Sequence, residues 1–139
     1  MEEQMSNQQA FSEKVVWITG ASGGIGEEMA VAFAESGSKV VLSARNEQQL
    51  ERVKDRCCDA GASRESVLVL PLDVVDLGAM PAAVDSVMES YSRIDLLINN
   101  AGVGVRDFCT DVQLDLYRTA LEVNLIGPIA LTKQVLPIM

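Results

Sequence analysis

Short apolar runs alternate along the chain with longer segments of helical periodicity. Lys14 to Thr19 (KVVWIT) is β-branched and apolar on both faces, the pattern of a strand buried in a parallel sheet. Lys39 to Ser43 (KVVLS), Ser66 to Leu70 (SVLVL) and Asp95 to Ile98 repeat it. Between them, Glu27 to Ser36 carries Met29, Ala30 and Phe33 at helical spacing, and Gly37 stands where a C-cap glycine belongs. Glu47 to Asp59 is a charged amphipathic helix ending near Gly61, Ala79 to Tyr91 is a third helix, and a last helical region runs from Asp111 to Leu136. The order β-α-β-α-β-α-β-α, with right-handed crossovers, predicts an α/β fold: a doubly wound parallel sheet of about four strands in the order 3-2-1-4, with helices on both faces.

Composition narrows the class. With 139 residues, 48% of them hydrophobic, the chain is long and apolar enough for one domain with its own core. Residues 1–12 are polar and acidic and read as a loose leader ahead of a domain spanning 13–139; they lack the basic start and apolar run of a signal peptide. No stretch approaches the ~20 apolar residues of a membrane span. The net charge of −9 argues against a nucleic-acid partner, since phosphate backbones are held by clustered Lys and Arg. Cys57, Cys58 and Cys109 form no CxxC pair and the chain has no histidine, so no metal site is expected. The three cysteines read as reduced thiols, and a cytoplasmic location follows as an expectation, with membrane association of a longer form left open.

Candidate chemistry collects where strands end. Thr19-Gly20-Ala21-Ser22-Gly23-Gly24-Ile25-Gly26 joins the first strand to the first helix. Glycine suits a backbone that turns tightly or touches a pyrophosphate, and the helix start supplies free N–H groups and a positive dipole end. Gly20, Ser22, Gly23, Gly24, Ile25 and Gly26 are therefore candidate dinucleotide-binding residues; the competing reading is an ordinary tight turn. No Lys-Ser/Thr pair closes the motif, so it is not a P-loop. The second strand ends in Ser43-Ala44-Arg45. A site preferring NAD usually places an acid here to accept from the ribose 2′-OH. Ala44 takes that place, and the Arg45 guanidinium would instead grip a 2′-phosphate through charge-assisted bonds of ~1.5–3 kcal/mol each. NADP (as NADPH) is the preferred cofactor, with NAD as the alternative; a solvated arginine opening the next helix is the bland reading.

The spacing TGxxxGxG, together with Asn99-Asn100-Ala101-Gly102 after the fourth strand, closely resembles the short-chain dehydrogenases/reductases over residues 14 to 139. The resemblance implies a Rossmann-type sheet and an oxidoreductase that exchanges hydride between nicotinamide and a carbonyl or secondary alcohol. It implies that Asp73 and the Val74 backbone bind adenine, although Asp73 could equally cap a turn. It places Asn100, Ala101 and Gly102 along the ribose and nicotinamide, with a sheet-steadying role a strong rival for Asn99. Asn124 matches the family's helical asparagine, which makes it the catalytic-site member in this chain. Asparagine in an apolar helix needs partners for its amide. Pro128 lacks an N–H, so the Asn124 carbonyl loses its helical donor and a kink is expected there; the alternative for Asn124 is a solvated side chain on a kinked helix.

The family's proton chemistry needs a tyrosine with a lysine four residues on. Asp95 stands four residues after Tyr91 and Leu121 four after Tyr117, so neither tyrosine fits. The expectation is a cofactor-binding half that is inactive alone, whose longer form acts on a small carbonyl or alcohol and assembles as a homo-oligomer. A non-catalytic dinucleotide-binding module and an unstable truncated fragment are the rival readings. On this view the helix face carrying Leu121, Leu125, Ile129 and Val135 lacks a cover.

Overall fold

The computed structural model describes residues 10–139, so most of the expected leader lies outside the described residues. Four parallel strands form one sheet: β1 (Val15–Thr19), β2 (Lys39–Ser43), β3 (Val67–Val69) and β4 (Leu96–Ile98). Their order is β3-β2-β1-β4, as the alternation of elements requires. The helices are α1 (Gly24–Glu35), α2 (Glu47–Asp59), α3 (Met80–Tyr91), α4 (Leu114–Leu121) and α5 (Gly127–Val135).

Alternation along β1 divides the core in two. Val15 and Trp17 pack with residues of α3 and α5 such as Val87 and Leu131. Val16 and Ile18 point the other way, onto Ala30 of α1 and Leu50 and Val53 of α2. A strand covered on both faces has no use for polar side chains, which is why β1 reads as an unbroken apolar run. Two buried polar groups in the sheet satisfy each other. The Trp17 indole N–H donates to Ser43 Oγ at 2.8 Å, and that hydroxyl donates to the Leu70 carbonyl at 2.7 Å.

The helix ends follow their caps. Asn46 Oδ1 accepts from the Gln49 N–H and opens α2. Gly37, at φ +82°, closes α1 as the sequence predicts. Two helix starts differ by three residues. Helix α1 begins at Gly24, three residues before the expected start, because the glycines of the loop form its first turn. The last helical region begins at Leu114 and is not one kinked α-helix. A π-helical turn, Glu122–Ile126, joins α4 to α5. The wider turn accommodates Pro128, whose nitrogen cannot donate to the Asn124 carbonyl.

One expected surface residue is internal. Val135 is fully buried beside Leu131 in the α3 and α5 layer, while Leu121, Leu125 and Ile129 remain about half exposed. The helix turns Val135 inward toward β1. Gly127 explains how close α5 comes to the β3–α3 connection: a Cβ there would lie 2.5 Å from the Val74 carbonyl oxygen.

Candidate functional site

A cleft of about 1020 Å³ opens at the carboxyl ends of the strands, where ligands of open α/β sheets bind. It is lined from four successive strand ends. Gly20, Ser22, Gly23 and Gly24 follow β1, Ala44 to Glu47 follow β2, Leu72 to Val75 follow β3, and Asn100 to Val103 follow β4. Thr119 of α4 and Val123 of the π turn complete it.

The glycines divide by role. Gly20 (φ +66°) and Gly26 are needed by the protein itself. A Cβ on Gly20 would sit 2.8 Å from Ala101 Cα, and one on Gly26 would sit 2.3 Å from the Gly20 carbonyl oxygen. At Gly24, φ is +54° and a Cβ would meet nothing within 4 Å; at Gly23 the nearest atom is Glu27 Oε2, at 4.0 Å. Gly23 and Gly24 thus leave space beside the start of α1. Among the described residues no side chain caps this helix, and its first turn presents backbone N–H groups with the positive end of the dipole. An anionic ligand could approach this backbone closely.

The glycine loop and the loop after β4 are tied together. Thr19 Oγ1 accepts from the N–H groups of Asn100 and Ala101, both at 3.1 Å. Asn100 Nδ2 donates to the carbonyls of Thr19 and Gly20, also at 3.1 Å. Asn100 therefore shapes the cleft floor while lining it. Asn99 points elsewhere, donating to Thr132 Oγ1 of α5 at 3.1 Å.

Arg45 and Asp73 come side by side because pairing continues past β3: the Leu72 N–H donates to the Ala44 carbonyl at 3.0 Å. Arg45 is exposed and is the one cationic side chain among the described lining residues. Asp73 Oδ1 accepts from the Val75 N–H at 3.2 Å, so this carboxylate caps its turn and also faces the cleft.

Ile25, Gly26 and Asn124 do not line the cleft. Ile25 is 74% exposed on α1, beside Glu28 and Met29. Asn124 is exposed, but its side-chain amide is paired. Its Nδ2 donates to the Val103 carbonyl and its Oδ1 accepts from the Val103 N–H, both at 2.8 Å.

Sequence reading misses one charged cluster. Glu27, 6% exposed, stands in the first turn of α1. Arg52 grips it with two hydrogen bonds of 2.7 and 2.6 Å, and Arg56 adds one of 2.5 Å. These bonds hold the Glu27 carboxyl down to about 2. An acid in the first turn of a helix and two arginines one turn apart were the available signals, but their partnership spans the α1–α2 packing. Cys57 lies in the same packing layer; burial pushes its thiol up to about 11, so it is unreactive at neutral pH.

These residues fit a dinucleotide: an uncapped helix end with space for phosphates, a cation, a carboxylate, and small residues along the floor. The sequence model of the short chain dehydrogenase family matches residues 14–139. Human dehydrogenase/reductase SDR family member 7 is 49% identical over 130 residues, covering 93% of this chain and 38% of the relative. The chain thus spans about two fifths of the length of the curated relatives it matches. A Burkholderia phymatum short chain dehydrogenase/reductase solved with NAD has a TM-score of 0.85 and 33% identity, covering 93% of this chain and 45% of that one. A metagenomic short-chain oxidoreductase solved with NADP also has a TM-score of 0.85, at 30% identity, covering 94% and 58%. The chain belongs to the short-chain dehydrogenase family.

Proposed function

We propose that this chain is the cofactor-binding half of an NADP-dependent short-chain oxidoreductase acting on a small carbonyl or secondary alcohol. Arg45 carries this reading. It stands at the end of β2, next to Ala44 where an acidic ribose reader would stand, and both line the cleft. The backbone around Ser22 to Gly24, at the start of α1, would hold the pyrophosphate and Arg45 the 2′-phosphate. Asp73 would offer its second oxygen to the adenine, and Asn100 to Gly102 would lie along the ribose. When bound, the nicotinamide supplies hydride exchange. Asn124, through Val103, would keep the nicotinamide end of the cleft floor in place.

The residues that line the cleft fall within 20–123, whereas no tyrosine here is followed four residues on by lysine. We therefore assign binding, without turnover, to the 139 residues themselves. Among the described residues no helix is long and apolar enough to cross a membrane. The test is a fluorescence titration with NADPH and NADH. Arg45→Ala should weaken NADPH by about ten- to a hundredfold while changing NADH little. Equal losses for both cofactors would remove Arg45 from the 2′-phosphate, and hydride transfer by the purified chain above the uncatalysed rate would refute its silence.

A further inference from the structure

Resting on that reading of the cleft, we propose that Arg52 of α2, with Glu27 as its counter-ion, is a positioning residue for the phosphate-binding loop. The loop from Ser22 to Gly24 has little to hold it. The Cβ positions of Gly23 and Gly24 face open space, and no side chain among the described residues caps the helix it enters. Among the described residues, the one side-chain hydrogen bond to this segment comes from Arg52, whose Nη2 donates to the Ser22 carbonyl at 3.2 Å. The same nitrogen donates to Glu27 Oε2 at 2.6 Å, and Nη1 donates to Glu27 Oε1 at 2.7 Å. One planar guanidinium thus fixes the loop and the first turn of α1 together, a geometry that a lysine ammonium cannot reproduce.

Charge gives the arrangement a second purpose. A carboxylate in the first turn of α1 competes with any phosphate for the positive end of the helix dipole. Glu27 is ionised and nearly buried, so its charge must be neutralised locally. Arg52 and Arg56 do this, and Arg56 also binds Glu28 at 2.8 Å. The two acids and two arginines sum to zero, leaving the N–H groups ahead of them available to an outside anion. Arg52 acts from behind the loop and does not line the cleft.

The experiment compares NADPH with adenosine 2′-monophosphate, which lacks the pyrophosphate, in the full chain carrying Arg52→Met or Arg52→Lys. Arg52→Met should weaken NADPH by about tenfold and leave the monophosphate unchanged; Arg52→Lys, which keeps the charge without the fork, should fall between. An unchanged NADPH affinity in the folded lysine variant, or equal losses for both ligands, overturns the proposal. If the unsubstituted chain binds the monophosphate but not NADPH, the loop assignment fails and Arg52 with it. If it binds neither, the dinucleotide reading itself fails.

Discussion

Asn124 and Val103 form a closed pair, with the side-chain amide of one donating to and accepting from the backbone of the other at 2.8 Å in both directions. The asparagine stands in the π turn and the valine in the loop after β4, so this pair ties the helix to the cleft floor. Removing it frees two backbone groups at an exposed position. Asn124→Ala should cost about 1–2 kcal/mol in denaturant unfolding. Asn124→Asp should cost at least as much, because a carboxylate would face the Val103 carbonyl without a proton to donate. Wild-type stability in both variants would contradict the pairing.

The loop glycines should separate folding from binding. Gly26→Ala forces a Cβ against the Gly20 carbonyl and should destabilise the protein by roughly 1–3 kcal/mol. Gly23 is extended, at φ −178°, and its Cβ direction is open. Gly23→Val should therefore melt within a few degrees of wild type yet fail to bind NADPH. Gly24 is a less clean site for this test, since valine at φ +54° is strained whatever the space. Normal binding by folded Gly23→Val would make the loop merely a turn.

Glu27 makes stability depend on pH in a defined direction. Its folded carboxyl is lowered from 4.5 to about 2, first by the Arg52 hydrogen bonds and then by Arg56. The stabilisation is complete above the unfolded value and is lost as pH falls from about 4.5 toward 2. In thermal melts, Glu27→Gln should be clearly less stable than wild type at pH 7, and the gap should narrow below about pH 4.5. A gap that stays constant down to about pH 3 would show that the ion pair contributes nothing.

Apolar surface sets the solution behaviour of the 139 residues. Strand β4 is an edge strand with an apolar sequence, and Leu121, Leu125 and Ile129 are about half exposed. Unpaired strand edges and apolar patches recruit other chains, and the net charge of −9 is screened beyond ~8–10 Å at physiological salt. Sedimentation at tens of micromolar should show self-association that weakens when Leu125 and Ile129 are both changed to Gln. A compact monomer with cooperative melting would contradict this and favour a self-sufficient binding module.

Features that depend on local pattern are legible in the sequence. The runs around Trp17, Val41 and Leu68 announce buried parallel strands, and Gly37 marks a helix end because few residues other than glycine accept its positive φ. The start of α1 at Gly24 is hidden, since glycine disfavours helices and the contact that requires glycine in this turn, Gly26 against Gly20 and Asn100, is made only in the folded chain. Val135 reads as exposed on a continuous α-helix, whereas the π turn rotates α5 relative to α4 and brings this side chain inward. The partnership of Glu27 with Arg52 and of Asn124 with Val103 joins elements distant in sequence. Composition signals that such groups need partners but does not name them.

The most direct test of the central claim, that the cleft binds a dinucleotide with its 2′-phosphate on Arg45, is a backbone amide NMR titration of the chain with NADPH. The expected result is a saturable set of shifts at Ser22 to Gly26, at Arg45, near Asp73 and at Asn100 to Gly102, with the Arg45 shifts missing when NADH is used. Shifts confined to other surfaces, or an Arg45 response identical for both cofactors, would contradict it.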